Sequence, residues 1–181
     1  MKSLLIKIPL YAVIALLLLN ALTLGAGILT YHRLSDEAMV AQLRFEKLAD
    51  QYYRAHLVSL DVPGVGHTYE LRGDQWQLDA QFMKVKPWAN VIGVDAMYRL
   101  DRLQGRYLDI AQQNTQPPLA YDLSPHRGNW LSRFMGSWDW LVLVADAEYG
   151  SATYATIETD KLYSVFRTQS GLITRVQDAR Q

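Results

Sequence analysis

Three rhythms of apolar positions follow one another along this chain, and each predicts a different element. From Ile8 to Leu29 the sequence reads IPLYAVIALLLLNALTLGAGIL, with no charge and with Asn20 and Thr23 as its clearly polar side chains. At about 1.5 Å per residue, a helix of roughly 22 residues spans about 33 Å, enough to cross a hydrocarbon core of about 30 Å. Secretory signals usually carry a shorter apolar run of about 7 to 15 residues, so length favours a retained anchor. Thr23-Leu24-Gly25 also fits a cleavage site, and cleavage is the alternative. No second run reaches spanning length. Trp138 to Ala145 is interrupted by Asp139 and suits a buried strand or the end of a helix. One span lines no pore and builds no midplane site, so a transporter acting alone is excluded.

Beyond the apolar run the period becomes two. Ala41, Leu43 and Phe45 alternate with Gln42, Arg44 and Glu46, and Tyr53, Ala55 and Leu57 repeat the pattern before a turn at Asp61 to Gly66. Tyr69 and Leu71 lead to a Gly73-Asp74 turn, after which Trp76, Leu78 and Ala80 point inward against Gln75, Gln77, Asp79 and Gln81. These strands read as an antiparallel meander. Lys86-Pro87 interrupts it with a short helical turn or loop as far as Gly93. AMYRLDRLQGRYLDI predicts a hairpin turning at Gln104-Gly105, and Asn114 to Tyr121 predicts a loop.

From Asn129 the apolar positions Trp130, Leu131, Phe134, Met135, Trp138 and Leu141 recur near every 3.6 residues, which predicts a helix of about three to four turns. The end of the chain predicts a hairpin around Thr159-Asp160, a Ser170-Gly171 turn and a last strand near Leu172 to Val176. Strands outnumber helices and no βαβ rhythm is present. The expected fold is mainly β (α+β): an antiparallel meander or sandwich-like domain with one or two helices, tethered by an N-terminal transmembrane helix. The expected divisions are a cytoplasmic N-terminus at 1–7, a membrane helix at 8–29, a linker at 30–38 and an extracytoplasmic β-rich domain at 39–181.

Charge sets the orientation. Lys2 and Lys7 precede the apolar run, and Arg33 follows it with Asp36 and Glu37 close behind. Positive charge stays in the cytoplasm, so the N-terminus is expected inside and the domain outside, which in a Gram-negative bacterium means the periplasm and a bacterial inner membrane. Removing Lys2 and Lys7 from the 18 basic residues leaves 16 against 18 acidic ones, a balance of −2. No basic stripe offers itself to a phosphate backbone, so no nucleic acid is expected as a partner. The absence of cysteine excludes disulfides, thiol catalysis and cysteine-ligated metal.

Candidate chemistry is sparse. His32, His56, His67 and His126 lie too far apart in sequence for a helical zinc pair, and His56 and His67 fall on opposite phases of their strands. Asp146 and Glu148, spaced i and i+2, share a face in an extended segment and are the weak candidates for a hard cation. Eighteen carboxylates produce such spacings by chance, and Ca²⁺ loops are denser in oxygen ligands. Ser151 in YGSATY lacks a nucleophile elbow, and neither a phosphate loop nor a dinucleotide fingerprint occurs. No catalytic residue, metal or cofactor is expected.

Two segments carry candidates for contact instead. Trp130, Trp138 and Trp140 with Arg127 and Arg133 suit either a helix covering one sheet face or a helix lying among lipid headgroups. Within the apolar run Asn20, Thr23 and Gly27 share a face, and Ala21 and Gly25 form a small-xxx-small pair beside it. Such a face admits a membrane-protein partner or a second copy of the chain, although lone amides and glycines are common in membrane helices.

LRGDQWQLDA at 71–80, YRLDRLQGRY at 98–107 and YGSATY at 149–154 carry a resemblance. They are similar to a family of small proteobacterial inner-membrane proteins that automated labelling often calls "cation/multidrug efflux pump". Some members have a second apolar segment, which this chain lacks. The resemblance implies membrane placement and brings no catalytic residues. Two functional classes follow: a non-catalytic accessory or interaction component of an envelope assembly, with transport as its context, or a lipid- or small-ligand-binding module. An enzyme is the least favoured class.

Overall fold

The computed structural model describes the backbone of residues 2–34, 37–60, 66–91, 94, 96–124 and 145–179, and their side chains except at 2–8, 32–34, 91, 145, 147 and 148. The chain divides into two units, Met1–Asp36 and Glu37–Gln181. The first is helix α1 (Lys2–Leu34), which runs through Thr30 to Leu34 into the stretch expected as linker. Its window Pro9–Tyr31 has a mean hydropathy of 2.3 and none of it is buried, so α1 is long and apolar enough to cross a membrane. Its polar side chains bond to its own backbone: Asn20 Nδ2 donates to Leu16 O at 2.9 Å, Thr23 Oγ1 to Asn20 O at 2.9 Å and Thr30 Oγ1 to Ala26 O at 2.8 Å.

The second unit is mainly β, in two antiparallel sheets. Strands β1 (Ala38–Ala49), β2 (Tyr52–Ser59) and β3 (Gly66–Arg72) form a meander that β8 (Lys161–Thr168) and β9 (Gly171–Asp178) extend, in the order β3-β2-β1-β8-β9. Strands β4 (Gln75–Val85), β5 (Met97–Arg106), β6 (Ala120–Asp122) and β7 (Ala145–Thr156) form the other sheet, in the order β6-β5-β4-β7. Two short helices, α2 (Pro87–Val91) and α3 (Ile110–Thr115), follow β4 and β5. Asp109 caps α3, its carboxylate accepting from Ala111 N at 2.9 Å.

Period-two patterning decides which face of each strand turns inward, and here it does so as expected. Leu43, Phe45, Ala55, Leu57 and Leu71 of one sheet meet Trp76, Leu78, Ala80, Phe82 and Leu103 of the other in one core. Trp76 stacks on Phe45 with ring centroids 6.2 Å apart and meets the edge of Tyr163 at 5.4 Å. The interior is therefore filled with side chains. A smaller cluster lies under α2, where Val85 and Ala89 pack with Val94 and Met97.

Three expected turns differ in the structure. The Gly73-Asp74 and Thr159-Asp160 turns do not close hairpins. Each carries the chain from one sheet to the other, since β3 pairs with β2 alone and β7 with β4. Alternation fixes a strand's inward face but leaves its partner open, and the large inward residues Trp76 and Tyr163 are what the two sheets share. The Gln104-Gly105 turn lies inside the continuous strand β5, because Gly105 answers a packing demand: a Cβ there would sit 2.0 Å from Arg72 O. The helix expected from Asn129 to Leu143 lies outside the described residues.

Hydrogen bonds from side chains close the sandwich where the sheets' edges meet. Ser151 Oγ accepts from Leu172 N at 3.0 Å, and the Thr153 and Thr174 hydroxyls are 2.7 Å apart. At the β3–β4 crossing, Asp74 N donates to Arg106 O at 2.9 Å, Asp74 O accepts from Ile157 N at 2.9 Å, and its carboxylate accepts from Leu108 N and Gln51 Nε2 at 2.9 Å each. Asp74 thereby ties the ends of β5 and β7 and the β1–β2 turn into one knot.

Burial pushes the Tyr163 hydroxyl above the usual tyrosine range, partly opposed by the Glu158 N–H that donates to it at 2.9 Å. Burial acts on Tyr69 and Tyr149 in the same direction. A raised folded-state value means that the unfolded chain loses its proton first. The stability linked to these hydroxyls is thus whole below about pH 10 and falls as pH rises through the raised values. The urea midpoint is expected to drop steeply above about pH 10, and Tyr163→Phe to start lower, having lost the bond to Thr156 O, but to fall less.

Candidate functional site

A recess lies on the outer face of the four-stranded sheet, with a volume of about 550 Å³. Its walls follow from the same alternation that builds the core. With Trp76, Leu78 and Ala80 turned inward, β4 presents Gln75, Gln77, Asp79 and Gln81 outward. The register sets Arg106, Gln104, Arg102 and Arg99 of β5 beside them on one flank, and Thr156, Tyr154, Ala152 and Gly150 of β7 on the other. Gly150 and Ala152 make the floor low on the β7 side, and a Cβ added at Gly150 meets nothing within 4 Å.

The polar groups on this face are organised against one another. Arg102 donates through Nε and Nη2 to Asp79 Oδ2 at 2.9 and 2.8 Å, while Gln77 Nε2 donates to Asp79 Oδ1 at 2.7 Å. Arg99 Nη2 donates to Gln81 Oε1 at 2.7 Å, and the Arg106 guanidinium lies 4.7 Å from the ring centroid of Tyr154. The Asp79 side chain is 14% exposed, and its charge is compensated by Arg102. The result is a face of amide and guanidinium groups fixed against one another, with the Arg102–Asp79 ion pair at its centre and the exposed ring of Tyr154 at its flank. Such a face offers hydrogen bonds in both directions and a flat apolar ring, with the three guanidinium groups of Arg99, Arg102 and Arg106 beside the carboxylate of Asp79.

Compared with protein-family models, with curated proteins and with solved structures, the chain matches none. The three stretches 71–80, 98–107 and 149–154 come together in space. They contain most of β4, β5 and the middle of β7, which are neighbouring strands of this one sheet, and they supply Gln77, Asp79, Arg102, Gly150 and Ala152.

The other candidates disperse. Asp146 lies 3.7 Å from Lys84, so an ammonium occupies the place considered for a cation. Glu148 stands opposite Met83 in the β4–β7 register, and its side chain lies outside those described. His56 is on the outer face of the five-stranded sheet, 3.9 Å from Glu46 and 3.4 Å from the Thr68 hydroxyl. His67 pairs with Leu57 on the opposite phase, its ring 6.2 Å from that of Tyr69. Among the described residues no three His, Asp or Glu side chains form a metal-holding group. Trp130, Trp138, Trp140, Arg127 and Arg133 lie outside the described residues, as do the side chains of His32 and His126.

The sequence marked Gln77, Asp79 and Gln81 as outward but not as a site. What was missing is the pairing of β4 with β7, which brings Gly150 and Ala152 beside them from far along the chain. The legible signal was the run of amides on one phase of β4 together with Arg99, Arg102 and Arg106 on β5.

Proposed function

We propose that this is a non-catalytic, single-pass membrane protein of the bacterial inner membrane. Its N-terminus is in the cytoplasm, and its β sandwich stands in the periplasm as an accessory component of an envelope assembly, with transport as the context that the family resemblance suggests. The observation that carries this reading is the joining of a 23-residue apolar helix to a sandwich with an organised polar recess. Lys2 and Lys7 ahead of the apolar run, against Arg33 alone just after it, support the orientation. The state of Asp79 supports the non-catalytic part: with three N–H donors on its carboxylate, it is arranged as a structural anion rather than as a poised base.

Within the bilayer, the face of Asn20, Thr23 and Gly27, with Ala21 and Gly25 beside it, is where a partner helix or a second copy would pack. Added Cβ atoms at Gly25 and Gly27 meet nothing within 4 Å, so a neighbouring backbone has room to approach. Asn20 spends one amide N–H on Leu16 O and retains its carbonyl oxygen and second N–H for that neighbour.

A second reading is favoured by the low floor of the recess: a small polar ligand bound over Gly150 and Ala152 beside Tyr154. One experiment separates the two. A photo-crosslinking residue in place of Ala152, in the full chain in native membranes, is expected to give one discrete protein adduct, and the same residue in place of His67 none. An adduct of small mass at Ala152 would support the ligand reading instead. Equal adducts at both positions, or none at Ala152, would overturn the role given to the recess.

A further inference from the structure

We propose that the outer face of the five-stranded sheet carries a binding site for a small organic anion, whose oxyanion is held by Arg44 and whose apolar part rests on Leu162 and Val58. The site lies on the other sheet from the recess over Gly150 and Ala152, and it stands whether α1 spans a membrane or not.

The alternation that turns Ala41, Leu43 and Phe45 into the core turns Gln42, Arg44 and Glu46 out of it. β1 is the middle strand of its sheet, so these side chains are flanked on both sides. The registers set Val58, His56 and Arg54 beside them on β2, and Ser164 and Leu162 beside Gln42 and Arg44 on β8. Gln42, Arg44, His56, Val58 and Leu162 line a recess of about 360 Å³, within the size range of small-ligand sites.

The charges on this face do not close. Four arginines point outward from it, Arg44, Arg54, Arg72 and Arg175, and the acidic groups that meet them are Glu37, Glu46 and Glu70. Arg175 is held by Glu37 at 2.6 Å and Arg54 by Glu46 at 3.0 Å. Arg72 lies 5.6 Å from the ring centroid of Tyr52, whose hydroxyl donates to Glu70. Arg44 makes no hydrogen bond, ion pair or ring contact among the described residues. Glu46, the one carboxylate of β1, is already engaged: the oxygen that accepts from Arg54 also lies 3.9 Å from His56 Nε2.

A guanidinium keeps its charge at any working pH and presents a planar fork that matches a carboxylate or a phosphate. Here the fork left over is Arg44. The Gln42 amide stands two residues along on the same phase, and Leu162 lies directly across from Arg44. Val58, across from Gln42, is 41% exposed. A bare inorganic anion would use the polar groups and leave Val58 and Leu162 in water. An anion with a short hydrocarbon chain covers them, and each methylene fully buried raises affinity by about four-fold.

The full chain, labelled with ¹⁵N in detergent micelles, is titrated with acetate, hexanoate, hexanamide and inorganic phosphate, and the arginine Nε–H and backbone amide resonances are followed. Hexanoate is expected to shift the Arg44 Nε–H and the amides of Gln42 and Leu162 saturably, with a midpoint at least about ten-fold lower than that of acetate. Hexanamide, which lacks the charge, is expected to leave them unmoved. Arg44→Gln is expected to weaken hexanoate at least about ten-fold and Arg44→Lys by less, since lysine keeps the charge and loses the fork. Leu162→Ser is expected to bring hexanoate to the acetate midpoint. Arg44 is exposed and Leu162 half-buried, and near-ultraviolet circular dichroism checks that the variants are folded. Acetate or phosphate saturating the same signals as readily as hexanoate would overturn the assignment of an organic anion. Shifts that persist in Arg44→Gln, or that hexanamide reproduces, would trace the effect to the micelle and overturn the role of Arg44. No saturable shift with any probe would overturn the site altogether.

Discussion

Trp76→Ala is expected to cost the sandwich about 3 to 5 kcal/mol, the range for truncating a large aromatic ring in a packed core. Trp76 is fully buried and is the ring on which the two sheets meet, through Phe45 and Tyr163. A domain of this size is stable by about 5 to 15 kcal/mol, so the loss takes a large share of the total. Its indole N–H is buried without a hydrogen bond in the structure, and an unpaired buried donor carries a penalty of about 1 to 3 kcal/mol. Trp76→Phe removes that donor along with some volume, and the two changes offset in part. It is expected to cost less than about 1.5 kcal/mol, as conservative core exchanges do. Urea unfolding of the full chain in detergent, followed by near-ultraviolet circular dichroism, measures both. Equal losses for alanine and phenylalanine would refute the role given to the ring.

Gly105→Ala is expected to destabilise by about 3 kcal/mol, the upper part of the range for forcing atoms into a packed site. A Cβ on residue 105 would lie 2.0 Å from Arg72 O, and a carbonyl in the backbone does not swing away as a side chain does. Moving Arg72 moves the adjoining Gly73, which holds φ at 124° with its backbone packed so closely that an added Cβ would lie 2.4 Å from Arg106 O. The displacement then reaches the bonds of Asp74, on which the crossing between sheets depends. Gly150→Ala is the matched control, since its Cβ meets nothing within 4 Å, and it is expected to change stability by less than about 1 kcal/mol. A Gly105→Ala variant as stable as Gly150→Ala would show that the crossing is looser than described.

These two residues also mark how far the sequence could be read. The inward phase of Trp76, with Leu78 and Ala80, follows from alternation alone, because the side-chain period of a strand needs no knowledge of its neighbours. The partner strands do not follow. β1 lies between β2 and β8, and β4 between β5 and β7, pairings between distant segments that a local pattern does not encode. Gly105 shows the same limit in one residue: beside Gln104 it reads as a turn, and only the approach of Arg72 reveals its purpose. Asp109 is a legible cap that the turn reading of its surroundings obscured. In the recess, Gln77, Asp79 and Gln81 were legible as an outer face, and they became a site once Gly150 and Ala152 were placed beside them.

The placement of the domain is the claim on which the functional reading depends. The absence of cysteine allows it to be tested with single reporters, Ser3→Cys ahead of the apolar span and Asp160→Cys at the β7–β8 turn. Spheroplasts are treated with a membrane-impermeant maleimide, and the intact mass of the labelled chain is then measured. The account predicts that Asp160→Cys is labelled without lysis, that Ser3→Cys is labelled only after lysis, and that both chains stay in the membrane at the full mass of 20.6 kDa plus one label. Labelling of Asp160→Cys only after lysis would contradict the orientation. A soluble chain shortened by about 25 residues would contradict the anchor itself.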